Sequence, residues 1–292
     1  MKDFLTGEEL SAAQLDAVID RALELKDGRE EAEGAGKLAG RTVALIFEKP
    51  STRTRISLEV AVAELGGIPV LLRGDEMQLT RGESIADTGR VLSRYVHAIA
   101  IRSGSDELVR ELAGAASVPV VNALTPEHHP CQALADLMTL RERFGDRDDL
   151  RLAYVGDGNN VARSLVVLGG LAGVEVVVSS PPGYELEGVE TVTDPAEAVR
   201  GAHAVYADVW VSMGDEETAD ARRAALAPYR IDDALLDRAA PDAIALHCLP
   251  AHPGEEITAE VLYGRRQRIW DEAENRRHAQ KALLEWLLAT TP

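Results

Sequence analysis

The sequence predicts an α/β protein built as two doubly wound parallel-sheet lobes. Apolar, β-rich runs recur at 42–47, 69–73, 97–102 and 118–122, and helical stretches at 52–65, 83–94 and 106–116 separate them. After the long helical stretch "CQALADLMTLRERFG", a second series of the same kind starts at "RLAYVGDG". A chain of 292 residues is long enough to bury two such cores.

Residues 7–27 read as a helix, with Leu10, Leu15, Val18, Ile19, Ala22 and Leu23 on an apolar stripe. "DGREEAEGAG" is a polar loop. Thr42–Phe47 is apolar on both faces, as a buried parallel strand must be. Pro50 stops it, Ser51 is a candidate N-cap, and Ile56, Val60, Ala63 and Leu65 carry a helical stripe to Gly66-Gly67. In the second half, strands are expected in "RLAYV", "VEVVVSS", "HAVYADVWV" and "AIALH", with helices near 160–173, 194–200 and 231–239. The closing stretch "DEAENRRHAQKALLEWLLA" is a helix that can return to the first lobe.

The formal net charge of −18 argues against a nucleic-acid surface, and its spread along the chain reads as a solvated exterior. No apolar run approaches 20 residues and the N-terminus has no signal-like pattern, so a cytoplasmic protein without a membrane partner is expected. Two cysteines, Cys131 and Cys248, make no disulfide framework.

In open α/β sheets, ligands sit beyond the carboxyl ends of the strands, and the polar residues of this chain gather there. "STRTR" puts Ser51 to Thr54 in the first turn of a helix, where backbone N–H groups and the helix dipole favour an anion. Arg53 and Arg55 add guanidinium donors, so the cluster reads as a phosphate site without a Walker loop. Arg102 ends the third strand, and "HHPCQ" supplies His129, Cys131 and Gln132. "GDGNNV" lacks the third glycine of a dinucleotide loop, so no nicotinamide cofactor is expected; its asparagines serve a small polar ligand or cap a helix. In "DVWVSMG", Asp208 could hold an ammonium group, or only form a turn. The His and Cys residues lack zinc-site spacing, and no metal is expected.

Taken together, "FEKPSTRTR", Arg102, "HPCQALADL", "GDGNN", "DVWVSMG", "HCLP" and "EAENR" resemble the aspartate/ornithine carbamoyltransferase family, on its ornithine side, over nearly the whole chain. The resemblance implies transfer of the carbamoyl group of carbamoyl phosphate to the δ-amine of L-ornithine, with no cofactor, in an active site in the cleft between the lobes. It implies that Ser51, Thr52, Arg53, Thr54, Arg102, His129, Pro130, Cys131, Gln132, Cys248, Leu249 and Arg276 contact carbamoyl phosphate. Gln78 would reach in from a neighbouring subunit of a homo-oligomer, a trimer or a multiple of trimers, with shared active sites. Asn160, Asp208, Ser212 and Met213 would hold ornithine, and Arg53, Arg102, His129, Asp208 and Cys248 would carry the catalysis. The implied division is a carbamoyl-phosphate domain at 1–132, completed by 271–292, and an ornithine domain at 133–270.

The chain departs from the family pattern at three places. Pro253 follows "HCLPAH" where arginine is usual, Leu58 stands where phenylalanine is common, and "TPEHHP" is atypical. Alternatives are another amine acceptor (putrescine or an N-acylated ornithine), a non-catalytic phosphate-binding protein, or a zinc hydrolase built on the His and Cys residues.

Overall fold

In the computed structural model, residues 3–28, 36–77, 82–212 and 216–289 are described. In chain order the elements are α1 (Ala12–Asp27), β1 (Thr42–Phe47), α2 (Thr52–Glu64), β2 (Ile68–Arg73), α3 (Ile85–Leu92), β3 (Ala98–Arg102), α4 (Asp106–Ala115), β4 (Val120–Leu124) and α5 (Pro130–Phe144). There follow β5 (Arg151–Val155), α6 (Asn160–Leu171), β6 (Glu175–Ser179), β7 (Thr191–Val192), α7 (Pro195–Ala198), β8 (Ala204–Ala207) and α8 (Ala219–Leu226). The chain closes with α9 (Asp233–Leu236), β9 (Ile244–His247), α10 (Ala259–Leu262) and α11 (Ile269–Ala289). Two compact units result, Met1–Met138 with Glu274–Pro292, and Thr139–Ala273, so the division falls inside α5 and inside α11.

The first unit is a parallel sheet in the order β2-β1-β3-β4. The order reverses between β1 and β3, so a crevice opens where their carboxyl ends diverge. The first helix starts at Ala12, later than its apolar stripe suggests. Ser11 and Gln14 close a reciprocal capping box there. Ahead of it, the Glu9 carboxylate accepts from the amides of Leu5, Thr6 and Gly7, which holds that segment in turns. The stripe itself is buried at Leu15, Val18, Ile19 and Ala22, with Leu25 inside in place of Leu23.

Helix α2 buries a different face from the one its apolar residues suggest. Thr54, Leu58, Ala61, Val62 and Leu65 are inside, while Ile56 is 53% exposed. Spacing of four, three and four residues puts this set on one side, and it includes the polar Thr54 because α11 offers that residue a partner. Leu58 is 1% exposed, so the smaller side chain still fills its place in the core. On α11, Arg277 and Lys281 both pair with Glu64, and Arg21 pairs with Glu285, which ties the returning helix into this unit.

The second unit is a parallel sheet in the order β7-β6-β5-β8-β9, again with a reversal beside its central strand. Its core gathers Val155, Val205, Ala207, Ile231, Ala245, Ile257 and Ile269. Glycine is required at 158 because a Cβ there would lie 2.4 Å from the Leu186 amide nitrogen. The carboxylate of Glu272 accepts from the His247 amide at 2.9 Å and from the Tyr206 hydroxyl at 3.1 Å, fixing the end of β9. Among the described residues, no helix is long and apolar enough to cross a membrane.

Candidate functional site

In the first unit, polar residues converge at the carboxyl ends of β1, β3 and β4. Ser51, Thr52, Arg53 and Thr54 form the start of α2, as the sequence predicts. Ser51 does not cap the helix with its side chain, however. Its hydroxyl accepts from Arg102 Nη1 at 3.1 Å, so the residue joins β1 to β3 where a helix cap was expected. Arg276 of α11 is buried and donates from Nη2 to Thr54 Oγ1 at 2.7 Å. His129 lies in the same place, 4% exposed, and its carbonyl accepts from the Gln132 amide as α5 begins.

The electrostatics of this group are one-sided. Burial, then Arg276 and Arg53, push the Arg102 guanidinium down to about 10. Burial and the same three arginines, Arg276, Arg102 and Arg53, hold the His129 imidazole well below its usual range, so it is neutral near pH 7. Three guanidiniums within mutual reach of one neutral imidazole are an arrangement that an anion relieves. Removing charge from water without a counterion is costly, and a dianionic phosphate at this spot would repay the cost of assembling the cluster.

Two further residues of α5 have different characters. The Cys131 thiol is buried and pushed up to about 12, chiefly by burial; it donates to the Asn122 carbonyl at 3.4 Å and is no nucleophile. Gln132 is fully buried, and its Nε2 donates to Asp136 Oδ1 at 2.8 Å one turn along the helix. That bond fixes the amide with its carbonyl oxygen turned the other way. Pro130 is the first residue of α5. Gln78 lies outside the described residues.

In the second unit, the carboxyl ends of β5, β8 and β9 deliver Asn159, Asp208 and Cys248. Asp208 is 8% exposed and accepts three hydrogen bonds. Its Oδ2 accepts from Asn159 Nδ2 at 2.7 Å, and its Oδ1 from the Cys248 thiol at 3.0 Å and the Val209 amide at 2.8 Å. Asn159 caps α6 through Oδ1, which accepts from the amides of Val161 and Ala162 and from the Tyr154 hydroxyl at 3.1 Å. The sequence leaves open whether these asparagines cap a helix or meet a ligand; Asn159 does the first while aligning the acid that could do the second. Burial, with Asp208, Asp157 and Cys248 nearby, pushes the Tyr154 phenol well up, so it stays a hydrogen-bond donor.

Beyond Cys248, Leu249 takes a left-handed φ of 62°, sparsely populated for such a side chain. The Leu249 amide donates to His247 Nδ1 at 2.9 Å, and His247 Nε2 meets the buried Glu256 carboxylate at 3.1 Å. Glu256 also accepts the His252 amide. The "HCLPAHP" loop is therefore stapled across its own span by one glutamate, in a chain that carries Pro253 where its resemblance leads one to expect arginine. Asn160 opens α6, Ser212 follows β8, and Met213 lies outside the described residues. Asp208, His247 and Cys248 offer potential metal ligands within 4.8 Å of one another, but both ring nitrogens of His247 are already in hydrogen bonds.

Asp136, Tyr154, Glu256 and Glu272 are the supporting residues that sequence reasoning missed. Only Asp136 left a signal, four residues after Gln132 on a helix.

The family description "Aspartate/ornithine carbamoyltransferase, carbamoyl-P binding domain" matches residues 2–142, and "Aspartate/ornithine carbamoyltransferase, Asp/Orn binding domain" matches residues 148–287. An ornithine carbamoyltransferase of Acidothermus cellulolyticus is 54% identical, over 99% of this chain and 97% of its own. The structure of ornithine carbamoyltransferase from Pyrococcus furiosus is similar with a TM-score of 0.95 at 43% identity, covering 100% of this chain and 98% of the other. That from Thermus thermophilus gives 0.91 at 42% identity, with 99% of each chain covered.

Proposed function

The chain belongs to the aspartate/ornithine carbamoyltransferase family, and from that premise we propose that it is an ornithine carbamoyltransferase, forming L-citrulline and phosphate from carbamoyl phosphate and L-ornithine. The observation that carries the reading is the charge arrangement of the first unit: Arg53, Arg102 and Arg276 around a neutral His129 at the start of α2. Such a cluster favours an acyl phosphate, a dianion whose acyl group is polar. The buried carboxylate of Asp208 supports an acceptor with an ammonium group.

The first unit thus takes carbamoyl phosphate and the second takes the amino acid. Chain 1–132 with 271–292 serves the former role and 133–270 the latter. Arg53 and the first-turn amides of α2 hold the phosphate, helped by Arg276 and the hydroxyls of Ser51 and Thr54. Arg102 and His129 face the carbamoyl oxygen; a neutral imidazole can donate there without adding a further charge to the cluster. Gln132, its NH₂ committed to Asp136, presents its carbonyl to the carbamoyl nitrogen. Asn160, Asp208, Ser212 and Met213 hold the amino-acid end of ornithine.

The neutral δ-amine attacks the carbamoyl carbon, and charge gathers on the carbamoyl oxygen. The C–O bond to phosphate then breaks, phosphate leaves with the electron pair, and the amine's proton ends on it. Fixed donors where charge develops are the main source of rate. An alkylamine is ordinarily protonated near pH 7, with a reference pKa of about 10, so the site must favour its neutral form. The cationic surroundings do that. Asp208 and Cys248, already joined by a hydrogen bond, relay the proton that the ammonium form sheds before attack; the proton lost during transfer is the one that goes to phosphate.

The active form is a homo-oligomer, a trimer or a multiple of trimers, with Gln78 completing a neighbour's site. Support comes from the apolar surface that the first unit leaves open: Ile56, Ile68, Val70, Val91 and Tyr95 are all at least 37% exposed, and Ile68 and Val70 lie on the edge strand β2. Cys131 and Cys248, both thiols and not disulfide-bonded, suit a cytoplasmic enzyme. Purified protein supplied with carbamoyl phosphate should form citrulline with ornithine in preference to putrescine, N-acetylornithine or aspartate. No citrulline, or faster turnover of another acceptor, refutes the reading.

A further inference from the structure

His129 must meet the carbamoyl group directly after a turn, Thr125 to His128, with the sequence "TPEH". A four-residue turn has no rigidity of its own. Here three polar groups of the turn converge on one carboxylate. Asp106, the first residue of α4, accepts the Thr125 hydroxyl on Oδ1 at 2.5 Å and the Glu127 amide on Oδ2 at 3.1 Å, and His128 Nδ1 lies 3.4 Å from Oδ1. The turn then closes on itself: the Thr125 amide donates to the His128 carbonyl at 2.8 Å, and the His128 amide to Thr125 Oγ1 at 3.3 Å. Asn122 Nδ2 donates to the same hydroxyl oxygen at 3.0 Å, anchoring it to β4. Thr125 is fully buried, and the Asn122 bond to its hydroxyl is shielded from water.

We infer that Asp106 is a positioning residue for carbamoyl transfer: its carboxylate fixes the 125–128 turn and thereby places the His129 imidazole against the carbamoyl group. The inference rests on the reading of His129 as a carbamoyl ligand. Asp106 touches neither substrate. Its hold on the turn is bidentate across two residues, so a change at Asp106 frees the upstream end of His129 while α5 keeps the downstream end. The imidazole would then sample positions displaced by a fraction of an ångström or more, and catalysis is sensitive to misplacement on that scale.

The test is a double-mutant comparison on purified full-length protein. Asp106→Ala should lower kcat about tenfold or more, while leaving KM for ornithine within about twofold. In a His129→Gln background the same change should alter kcat by less than about twofold, because the residue it acts through is already gone. Should Asp106→Ala fail to fold, Thr125→Val removes the hydroxyl that the carboxylate accepts and carries the same comparison. A kcat within about twofold of wild type, or an equal loss in both backgrounds, overturns the inference. Failure of the parent reading looks different: the wild-type chain itself would make no citrulline.

Discussion

Replacing Arg102 by methionine should make the protein more stable and nearly inactive at once. The guanidinium's position decides both effects. Burial and the neighbouring Arg276 and Arg53 lower it from 12.5 to about 10 in the folded chain. A base whose folded pKa is depressed opposes folding at every pH below that folded value, and the penalty disappears only above the unfolded one. At pH 7 it is therefore fully present, and worth about 3 kcal/mol. Methionine keeps the apolar stem and removes the charge, at the loss of the bond to Ser51, worth about 1–2 kcal/mol. The net gain is about 1–2 kcal/mol, or a melting temperature higher by about 2–6 °C in a protein of this size. Scanning calorimetry of both proteins, with and without saturating inorganic phosphate, reads the change in stability and the loss of anion binding, and a citrulline assay reads the loss of activity. Phosphate should raise Tm of the wild type by more than that of the variant, since a ligand stabilises only what it binds. A variant less stable than wild type without phosphate, yet equally stabilised by it, refutes the account of this cluster.

Other outcomes follow from the same geometry. Asp208→Asn keeps the shape but weakens the match to an ammonium group, so KM for ornithine should rise at least about tenfold while KM for carbamoyl phosphate stays within about twofold; equal changes in both contradict the assignment. Because His129 is depressed in the fold, the unfolded chain takes up a proton first as pH falls, and stability should decline from about pH 6.5 downward. His129→Gln should flatten that decline in denaturant midpoints measured between about pH 5 and 7, and an unchanged slope speaks against it. An inactive Arg102→Ala chain mixed with an inactive Gln78→Ala chain should recover activity if neighbouring subunits complete each other's sites; confirmed mixed oligomers that stay inactive exclude sharing.

Strands were the most legible part of the fold, because a parallel strand buried on both faces must be apolar throughout. Thr42–Phe47 and Ala98–Arg102 lie within a residue of their expected limits. What escaped notice was small or buried in context. The two residues of β7 carry no periodicity, and α8 and α10 are short helices without a long apolar stripe. On α2 the apolar count pointed to Ile56 and away from Thr54, since a buried threonine makes sense only once Arg276, more than two hundred positions later, is beside it. The chemistry-bearing residues were legible through their place at strand ends. Their supports were not: Asn159 reaches Asp208 because β5 and β8 are neighbours, with Tyr154 opposite Tyr206, and no spacing in the sequence announces that pairing. Asp106 and Thr125 are similarly remote, and meet because α4 starts where β4 ends.

Carbamoyl transfer by this chain depends above all on a phosphate group docking at the first turn of α2. A crystal grown with a phosphonate bisubstrate analogue, carrying a carbamoyl-phosphate mimic joined to ornithine, tests this directly. The phosphonate should sit on the Ser51–Thr54 turn within hydrogen-bond distance of Arg53, with its carbonyl oxygen toward Arg102 and His129. A phosphonate bound elsewhere, with those arginines turned away from it, contradicts the account.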